Sequence, residues 1–291
     1  MGAYGVHLVR PIRMLKIYSI VYNAPQFVSL QYNSFKNFIH DTDYYEFILI
    51  DNAPTPEISG QFHNEAKKLN LKIHRVKNPR YDIGGLSHQR ALNYTLQAFI
   101  YKDSLRNTSL IVDSDIFLIR PCIPELMLNG HQLGGVRQGT EEFGHPWVGL
   151  LCFRNSIANL RTLNFSGALI NLKNYTDYVI PDPALGWNFD TYDLLRKTYT
   201  PFDSGALIGK YITENQIAVK WFTIDFLENV KTRELPESLL PYYENTFNFW
   251  LLNSVFLHTG RMSNWDYQPD AEITRKNKFI RLLVEYCIAH K

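Results

Sequence analysis

The feature that most constrains the fold of this chain is an alternation of apolar strand-like runs with helical stretches over residues 15–120. Strand-like segments rich in β-branched and aromatic residues lie at 15–22, 45–52, 71–78 and 109–119. The stretch after each of the first three has the apolar spacing of a helix. This rhythm predicts an α/β, Rossmann-like fold, with a mostly parallel central sheet and helices on both faces.

The second half of the chain is less regular and contains several glycines and prolines. We predict a strand at 148–153, a loop leading into a helix at 184–199, and an apolar strand ending at His258. No repeat and no interdomain linker divides the sequence. We therefore predict an N-terminal extension over residues 1–14 and a single domain over 15–291.

Composition narrows the class of protein. A formal net charge of +2 over 291 residues gives no basic excess of the kind that nucleic-acid binders carry. No apolar run approaches the ~20 residues of a membrane span, and the first 14 residues lack a signal-peptide pattern. The three cysteines are far apart and form no C-x-x-C pair, which fits a reducing compartment. We expect a cytoplasmic protein without a membrane span and without a nucleic-acid partner; the oligomeric state is not readable.

Two aspartates interrupt the most apolar of the predicted strands, "LIVDSDIFLI" at 110–119. In an extended chain Asp113 and Asp115 would share one face and point at one object. Buried carboxylates without partners are costly, so a cation is one explanation. The alternative is that the strand ends near Asp113 and that both residues are solvated turn formers.

Four segments in this order resemble the nucleotide-sugar glycosyltransferases of the GT-A fold, and the inverting family-2-like enzymes most closely. They are "SIVYN" at 19–23, "ILIDNA" at 48–53, "DIGGLSHQRALN" at 82–93 and "LIVDSDIFLI". The resemblance covers roughly residues 15–155 and is patchy afterwards. It implies a GT-A sheet with an irregular acceptor-side region, a nucleotide-binding half at 15–120 and an acceptor-binding half at 121–291.

The resemblance implies a divalent cation, Mn²⁺ or Mg²⁺, that offsets charge on the leaving diphosphate. Asp115 would bind it most directly, Asp113 would contact the ribose or a metal-bound water, and His258 would complete the shell. For His258 the alternative is a histidine that caps a strand. Hard cations of this kind take oxygen ligands and leave part of their shell to phosphate.

The resemblance also implies a nucleotide site at the strand ends and the glycine loop. Asp51 would recognise the base or ribose, although an Asx turn before Pro54 explains it as well. Tyr22 would stack on the base or belong to the core, and Arg90 would reach a phosphate or pair at the surface. His88 and Asn93 are equally explained as structural. The implied set is Tyr22, Asn23, Asp51, Asp82, Gly84, Gly85, Arg90 and Asp113, with Asn52 as a weaker member.

A general base is needed to deprotonate the acceptor hydroxyl. "GWNFDTYDLL" at 186–195 offers Asp190 and Asp193. We predict Asp190 as the base, with a helix N-cap as its alternative explanation; Glu141 and Glu142 are further candidates. Trp147 and Gly149 would line the pocket of the acceptor and the donor sugar, and Trp187 would be an acceptor-binding wall on which a sugar stacks.

The sequence therefore predicts a metal-dependent glycosyltransferase, a hexosyl- or pentosyltransferase acting with inversion on a glycan or glycoconjugate hydroxyl. UDP-sugar is the favoured donor and GDP-sugar the second. Three other classes stay open at this point: a sugar-nucleotide nucleotidyltransferase, a non-catalytic carbohydrate-binding protein and a metal phosphohydrolase.

Overall fold

The computed structural model describes most of the chain, in segments that include both halves. These segments are residues 14–39, 44–76, 84–123, 127–139, 144–171, 173, 177–180, 195, 197–198, 200–202, 204–226, 249–259 and 270–290. The predicted extension at 1–14 is therefore described only at Met14.

Fourteen strands and five α-helices are formed by the described residues. The strands are β1 Leu15–Val21, β2 Tyr45–Asp51, β3 Lys72–Arg75, β4 Thr108–Asp113, β5 Ile116–Leu118, β6 Leu133–Gly139, β7 Gly144–Arg154, β8 Ala168–Ile170, β9 Tyr178–Val179, β10 Thr200–Phe202, β11 Val219–Phe222, β12 Ile224–Phe226, β13 Trp250–Leu252 and β14 Phe256–His258. The helices are α1 Val28–Phe38, α2 Pro56–Lys68, α3 Gly84–Ala98, α4 Ala206–Glu214 and α5 Asp270–Ala289.

The central sheet has seven strands in the order β11-β6-β7-β4-β1-β2-β3. The neighbours β4, β1, β2 and β3 are parallel, and β6 is parallel to β11. Only β7 runs the other way, since it pairs antiparallel with both β4 and β6. The prediction of an α/β fold with a mostly parallel sheet is confirmed.

Helices cover both faces of this sheet, as predicted. Alternate residues of β1 point to opposite sides: Ile17 joins the core that contains Phe35 of α1 and Phe62 of α2. Tyr18 and Ile20 join a second core, on the side of α3 and α4. Chain order reverses at β1, which lies between β2 and β4, and ligands of such sheets bind at this kind of switch point.

Local sequence explains where α2 begins. Thr55 caps the helix, because its Oγ1 accepts a hydrogen bond from the Ile58 N–H at 3.3 Å. Pro56 at the first position lacks the N–H that would otherwise be unpaired. Glu57 in the first turn and Lys67 in the last complement the helix dipole.

The C-terminal part contributes smaller sheets, in agreement with the predicted irregular region. A three-stranded sheet has the order β10-β8-β9, and a four-stranded antiparallel sheet has the order β12-β13-β14-β5. Helix α5 packs on the second of these through Phe279, Ile280 and Val284. No described helix is long and apolar enough to cross a membrane.

The segment 109–119 differs from the prediction of one continuous fourth strand. The chain turns at Ser114 and Asp115, so that β4 stays in the central sheet and β5 pairs with β14 in another sheet. Residues on both sides of the turn are fully buried, and their uniform hydrophobicity therefore hides the break. Asp113 and Asp115 are not alternate residues of one extended strand.

Candidate active site

The D-S-D turn (Asp113–Asp115) lies at the carboxyl end of β4, beside the end of β1. The Ser114 N–H donates to the Ile20 carbonyl at 3.2 Å, which ties the turn to β1. On the other side, the main-chain N–H and Oγ1 of Thr259 both lie within hydrogen-bond distance of the Asp115 carbonyl, at 3.2 and 3.3 Å. The turn therefore joins the first half of the chain to the segment around residue 259.

The two aspartates of the turn have different partners. Asp113 Oδ1 lies 2.9 Å from His88 Nε2, at hydrogen-bond distance, and this carboxylate is partly exposed. Asp115 Oδ2 lies 3.6 Å from His258 Nε2, and both of these side chains are buried. The structure thus pairs each aspartate with its own histidine.

Strand pairing places His258 beside the turn. It is the last residue of β14 and stands opposite Ile116 of β5 in the antiparallel ladder. Its ring packs against two indoles, with centroids 4.7 Å from Trp147 and 5.1 Å from Trp250. His258 Nδ1 is buried without a hydrogen-bond partner among the described residues.

The chemistry of the Asp115–His258 pair fits a divalent cation. A separation of 3.6 Å is too long for a hydrogen bond, yet it allows both atoms to bind one ion. Carboxylate oxygen and imidazole nitrogen are both ligands of first-row divalent metals. No group of three or more His, Cys, Asp or Glu side chains comes together as a metal centre within the described part of the chain.

Gly149 allows Trp147 to reach His258. A Cβ at Gly149 would fall 2.1 Å from Trp147 Cζ2, so the indole lies directly over the glycine. This contact places Trp147 beside the predicted metal residue. Its predicted role at an acceptor sugar stays a prediction.

The residues after β1 and β2 lie at the same edge of the sheet as the D-S-D turn. Tyr22 and Asn23 follow β1 and are partly exposed, and Asn23 Oδ1 is buried without a partner in the described segments. Asn52 is buried; its N–H donates to the Val21 carbonyl at 2.9 Å and its Oδ1 accepts from Ser87 Oγ at 3.1 Å. The loops after β1 and β2 are therefore joined to α3.

Asp51 is buried and its carboxylate is already occupied by protein groups. Oδ1 accepts from the Ala53 N–H at 2.9 Å, which is an Asx turn. Oδ2 accepts from the Ser59 hydroxyl and from Arg75 Nη1, the latter at 3.1 Å. The bond to Ala53 is the one expected for the alternative explanation of Asp51, an Asx turn before Pro54. Nucleotide recognition by Asp51 stays a prediction.

Several predicted residues are described only in part or not at all. Helix α3 begins at Gly84, so the Gly84–Gly85 pair forms its first turn. Arg90 lies half-buried farther along this helix. Asp82, Glu141, Glu142, Trp187, Asp190 and Asp193 lie outside the described residues, and their roles stay predictions.

The sequence analysis missed Gln31. This side chain lies in α1, is 1% exposed, and contacts the D-S-D turn. A signal for it was present: Gln31 occupies the stripe of α1 that otherwise carries Val28, Phe35 and Phe38. A polar residue at such a position requires buried hydrogen-bond partners.

Comparison with known proteins gives distant structural similarity only. No family model matches the chain, and no curated protein sequence matches it. Among solved structures, a match to S. aureus TarS 1-349 has 14% identity and a TM-score of 0.35, and covers 52% of this chain and 50% of that one. The mannosyltransferase PcManGT from Pyrobaculum calidifontis, solved with GDP-Man and Mn²⁺, has 14% identity and a TM-score of 0.37, with 52% and 47% covered.

A longer match is to the galactosyltransferase LgtC, solved with donor and acceptor sugar analogues. It has 10% identity and a TM-score of 0.37, and covers 71% of this chain and 72% of that one. The chain thus spans about half the length of TarS 1-349 and of PcManGT. PcManGT and LgtC are sugar transferases by name, the class that the sequence resembles. Similarity at this level does not by itself carry a ligand or an activity over to this chain.

Proposed function

We propose that this protein is a metal-dependent glycosyltransferase that moves a sugar from a nucleotide diphosphate to a hydroxyl of a glycan or glycoconjugate. The observation that carries the proposal is the buried Asp115–His258 pair at the switch point of the sheet. Two buried side chains of types that bind metals, from opposite halves of the chain, lie 3.6 Å apart there without a hydrogen bond between them.

Asp115 and His258 would hold the cation, Mn²⁺ or Mg²⁺. When bound, the cation would offset the negative charge of the departing nucleotide diphosphate. Asp113, which contacts His88 instead, would remain available to the ribose or to a water on the ion.

The nucleotide would lie across the ends of β1 and β4. The buried Asn23 Oδ1 lacks a donor in the described segments, and an N–H or O–H of the nucleotide would supply one. Tyr22 beside it offers an aromatic face. UDP is the favoured nucleotide and GDP the second.

The acceptor would enter from the side formed by the second half of the chain. Asp190 would take the proton of the attacking hydroxyl, and attack opposite the leaving diphosphate would invert the anomeric centre. Trp187 would support the acceptor sugar, with Trp147 between that sugar and His258.

Calorimetric titration tests the donor site. UDP and GDP are each titrated into the wild type, Asp115→Ala and Asp225→Ala, with and without Mn²⁺; Asp225 is an exposed carboxylate in β12 and serves as the control. We expect one nucleotide to bind the wild type and Asp225→Ala only with Mn²⁺, and Asp115→Ala to lose at least tenfold in affinity.

A protein that binds neither nucleotide under any of these conditions would contradict the proposal. Sugar binding that requires neither metal nor nucleotide would then point to a non-catalytic carbohydrate-binding protein. If nucleotide binds as expected, release of free sugar from the matching sugar nucleotide follows as the test of transfer chemistry.

A further inference from the structure

The buried amide of Gln31 holds the main chain on both sides of Asp115. Gln31 Nε2 donates to the Asp113 carbonyl at 2.7 Å and to the Ile116 carbonyl at 2.8 Å. These two carbonyls bracket Ser114 and Asp115. One side chain of α1 therefore closes the turn that carries the predicted metal ligand.

All hydrogen-bonding groups of this amide are used. Gln31 Oε1 accepts from Ser19 Oγ at 2.6 Å, and both N–H groups go to the two carbonyls. Carbonyls only accept, so the nitrogen must face them and the amide cannot rotate by 180° without losing these bonds. The amide is thus fixed between β1 and the turn.

A second contact from α1 holds the strand after the turn. The Leu118 N–H donates to Ser34 Oγ at 3.2 Å, and this hydroxyl donates to the main-chain carbonyl of Gln31 at 2.8 Å. Gln31 and Ser34 are both buried. The first turns of α1 therefore bind the chain at Asp113, Ile116 and Leu118.

The Asp115 carboxylate has little other support. Among the described residues, the one charged or hydrogen-bonding side chain paired with it is His258, at 3.6 Å, and this distance is too long for a hydrogen bond. The position of this carboxylate therefore depends on the main chain of the turn, and that main chain is held by Gln31, Ser34 and Thr259.

We infer that Gln31 is a positioning residue that sets the affinity of the Asp115–His258 pair for a divalent cation, an inference that rests on the proposed function. It touches neither the ion nor the substrate. It acts by fixing the turn, in the way that hydrogen-bond partners of metal ligands tune metal affinity in other proteins, where their loss costs roughly tenfold to a hundredfold.

The chain offers a matched control at the opposite end of β4. Asn155 is also a fully buried amide: its Oδ1 accepts from Ser109 Oγ at 2.7 Å, and its Nδ2 donates to Asp103 Oδ2 at 3.0 Å and to the Ser104 carbonyl at 3.3 Å. Both amides bind a strand serine and two oxygens. Only Gln31 contacts the D-S-D turn.

The test measures Mn²⁺ affinity by electron paramagnetic resonance of the free ion, with saturating UDP or GDP. Gln31→Met and Asn155→Leu keep approximate shape and lose the amide, and thermal unfolding in EDTA records stability separately. We expect both variants to unfold at lower temperature. Only Gln31→Met should weaken Mn²⁺ binding, by roughly tenfold or more.

Equal Mn²⁺ affinity in wild type and Gln31→Met would overturn the inference, as would an equal loss in Asn155→Leu. If Gln31→Met does not fold, Gln31→Glu replaces it, because this side chain keeps the shape but lacks the two N–H donors, and unchanged affinity in that variant overturns the inference in the same way. A wild type that binds no Mn²⁺ would refute the proposed function and this inference together. If the wild type binds Mn²⁺ and the variants bind it with the same affinity, the inference alone is refuted and the proposed function stands.

Discussion

The two ends of the central sheet carry buried or partly buried polar side chains of similar kinds, but the hydrogen-bond partners of these side chains differ. At the end where β1 and β4 begin, Asp103 accepts from Lys16 at 2.8 Å and from Asn107 and Asn155 at 3.0 Å each. At the end where these strands finish, the one side-chain partner of the Asp115 carboxylate among the described residues is His258, at 3.6 Å. At the end with Asp103, the closed end, the polar side chains form a hydrogen-bond network with one another. At the end with Asp115, the open end, the carboxylate and the imidazole are close together but make no hydrogen bond to each other.

The hydrogen-bond donors around a carboxylate distinguish a structural polar cluster from one that can bind a ligand. A buried carboxylate whose oxygens are all occupied by protein donors stabilises the fold and has little capacity left for a ligand. A buried carboxylate with no donor reduces stability unless something else binds it. Asp51 belongs to the first kind although it lies at the ligand end of the sheet.

The largest expected effect is at the closed end. Asp103→Ala would remove the acceptor that Lys16, Asn107 and Asn155 share, and we expect the free energy of unfolding to fall by about 3 kcal/mol. Urea denaturation measures this, and Mn²⁺ affinity in the folded variant should stay within about twofold of wild type. A variant as stable as the wild type would show that the network contributes nothing.

Gly149→Ala tests the packing of the open end. The added Cβ would lie 2.1 Å from Trp147, so the indole must leave His258, and we expect a loss of about 2 kcal/mol. Gly144→Ala in the same strand is the control. There the Cβ meets the movable end of Arg137 at 2.8 Å. Urea denaturation of the two variants compares them, and equal losses would show that the Trp147–His258 contact is not the cause.

Asp115→Asn should not lower the free energy of unfolding in the absence of metal, in contrast to Asp103→Ala. Without metal it removes the charge of a buried carboxylate that has no hydrogen-bond donor among the described residues, and we expect an unfolding free energy equal to that of the wild type or higher by about 1 kcal/mol. Thermal unfolding in EDTA measures this. With Mn²⁺ and UDP the order should reverse, because the ligands stabilise only the wild type. A less stable variant in EDTA would mean that this carboxylate has a structural partner.

The smallest effect concerns Tyr18, whose buried hydroxyl has no hydrogen-bond partner among the described residues. Burial raises its pKa above the ordinary value, and Asp103 and Glu46 add to this. Tyr18→Phe should change the unfolding free energy by no more than about 0.5 kcal/mol, whereas Tyr101→Phe should cost about 1 kcal/mol. Tyr101 donates to the Leu163 carbonyl at 2.7 Å. Equal losses of unfolding free energy in Tyr18→Phe and Tyr101→Phe, measured by urea denaturation, would contradict the different roles of the two hydroxyls.

Much of the central sheet could be predicted from sequence because its strands are buried on both faces. β1 and β2 lie within one residue of their predicted bounds at 15–22 and 45–52. The turn within 109–119 could not be predicted in the same way. Apolar residues continue through it, and nothing local shows that the second part pairs with β14, which comes much later in the chain.

The site was predictable only in its residue types. The D-S-D segment and His258 stand out as polar residues at the ends of apolar strands, and the structure brings Asp115 and His258 together; their role as metal ligands stays a prediction. Gln31 was missed because helical periodicity identifies the buried face of α1 but does not indicate what that face contacts. Its partners, the carbonyls of Asp113 and Ile116, are backbone groups that no side-chain motif can indicate.

The pairing of β14 with β5 makes the proposed site depend on a contact between two distant parts of the sequence. Strands β1 to β4 and the D-S-D turn precede His258 by many elements in chain order. Until the β13–β14 hairpin docks, Asp115 lacks its imidazole neighbour. Under the proposed function, cation and nucleotide would therefore stabilise the docked hairpin and would leave the folding steps that precede docking unchanged.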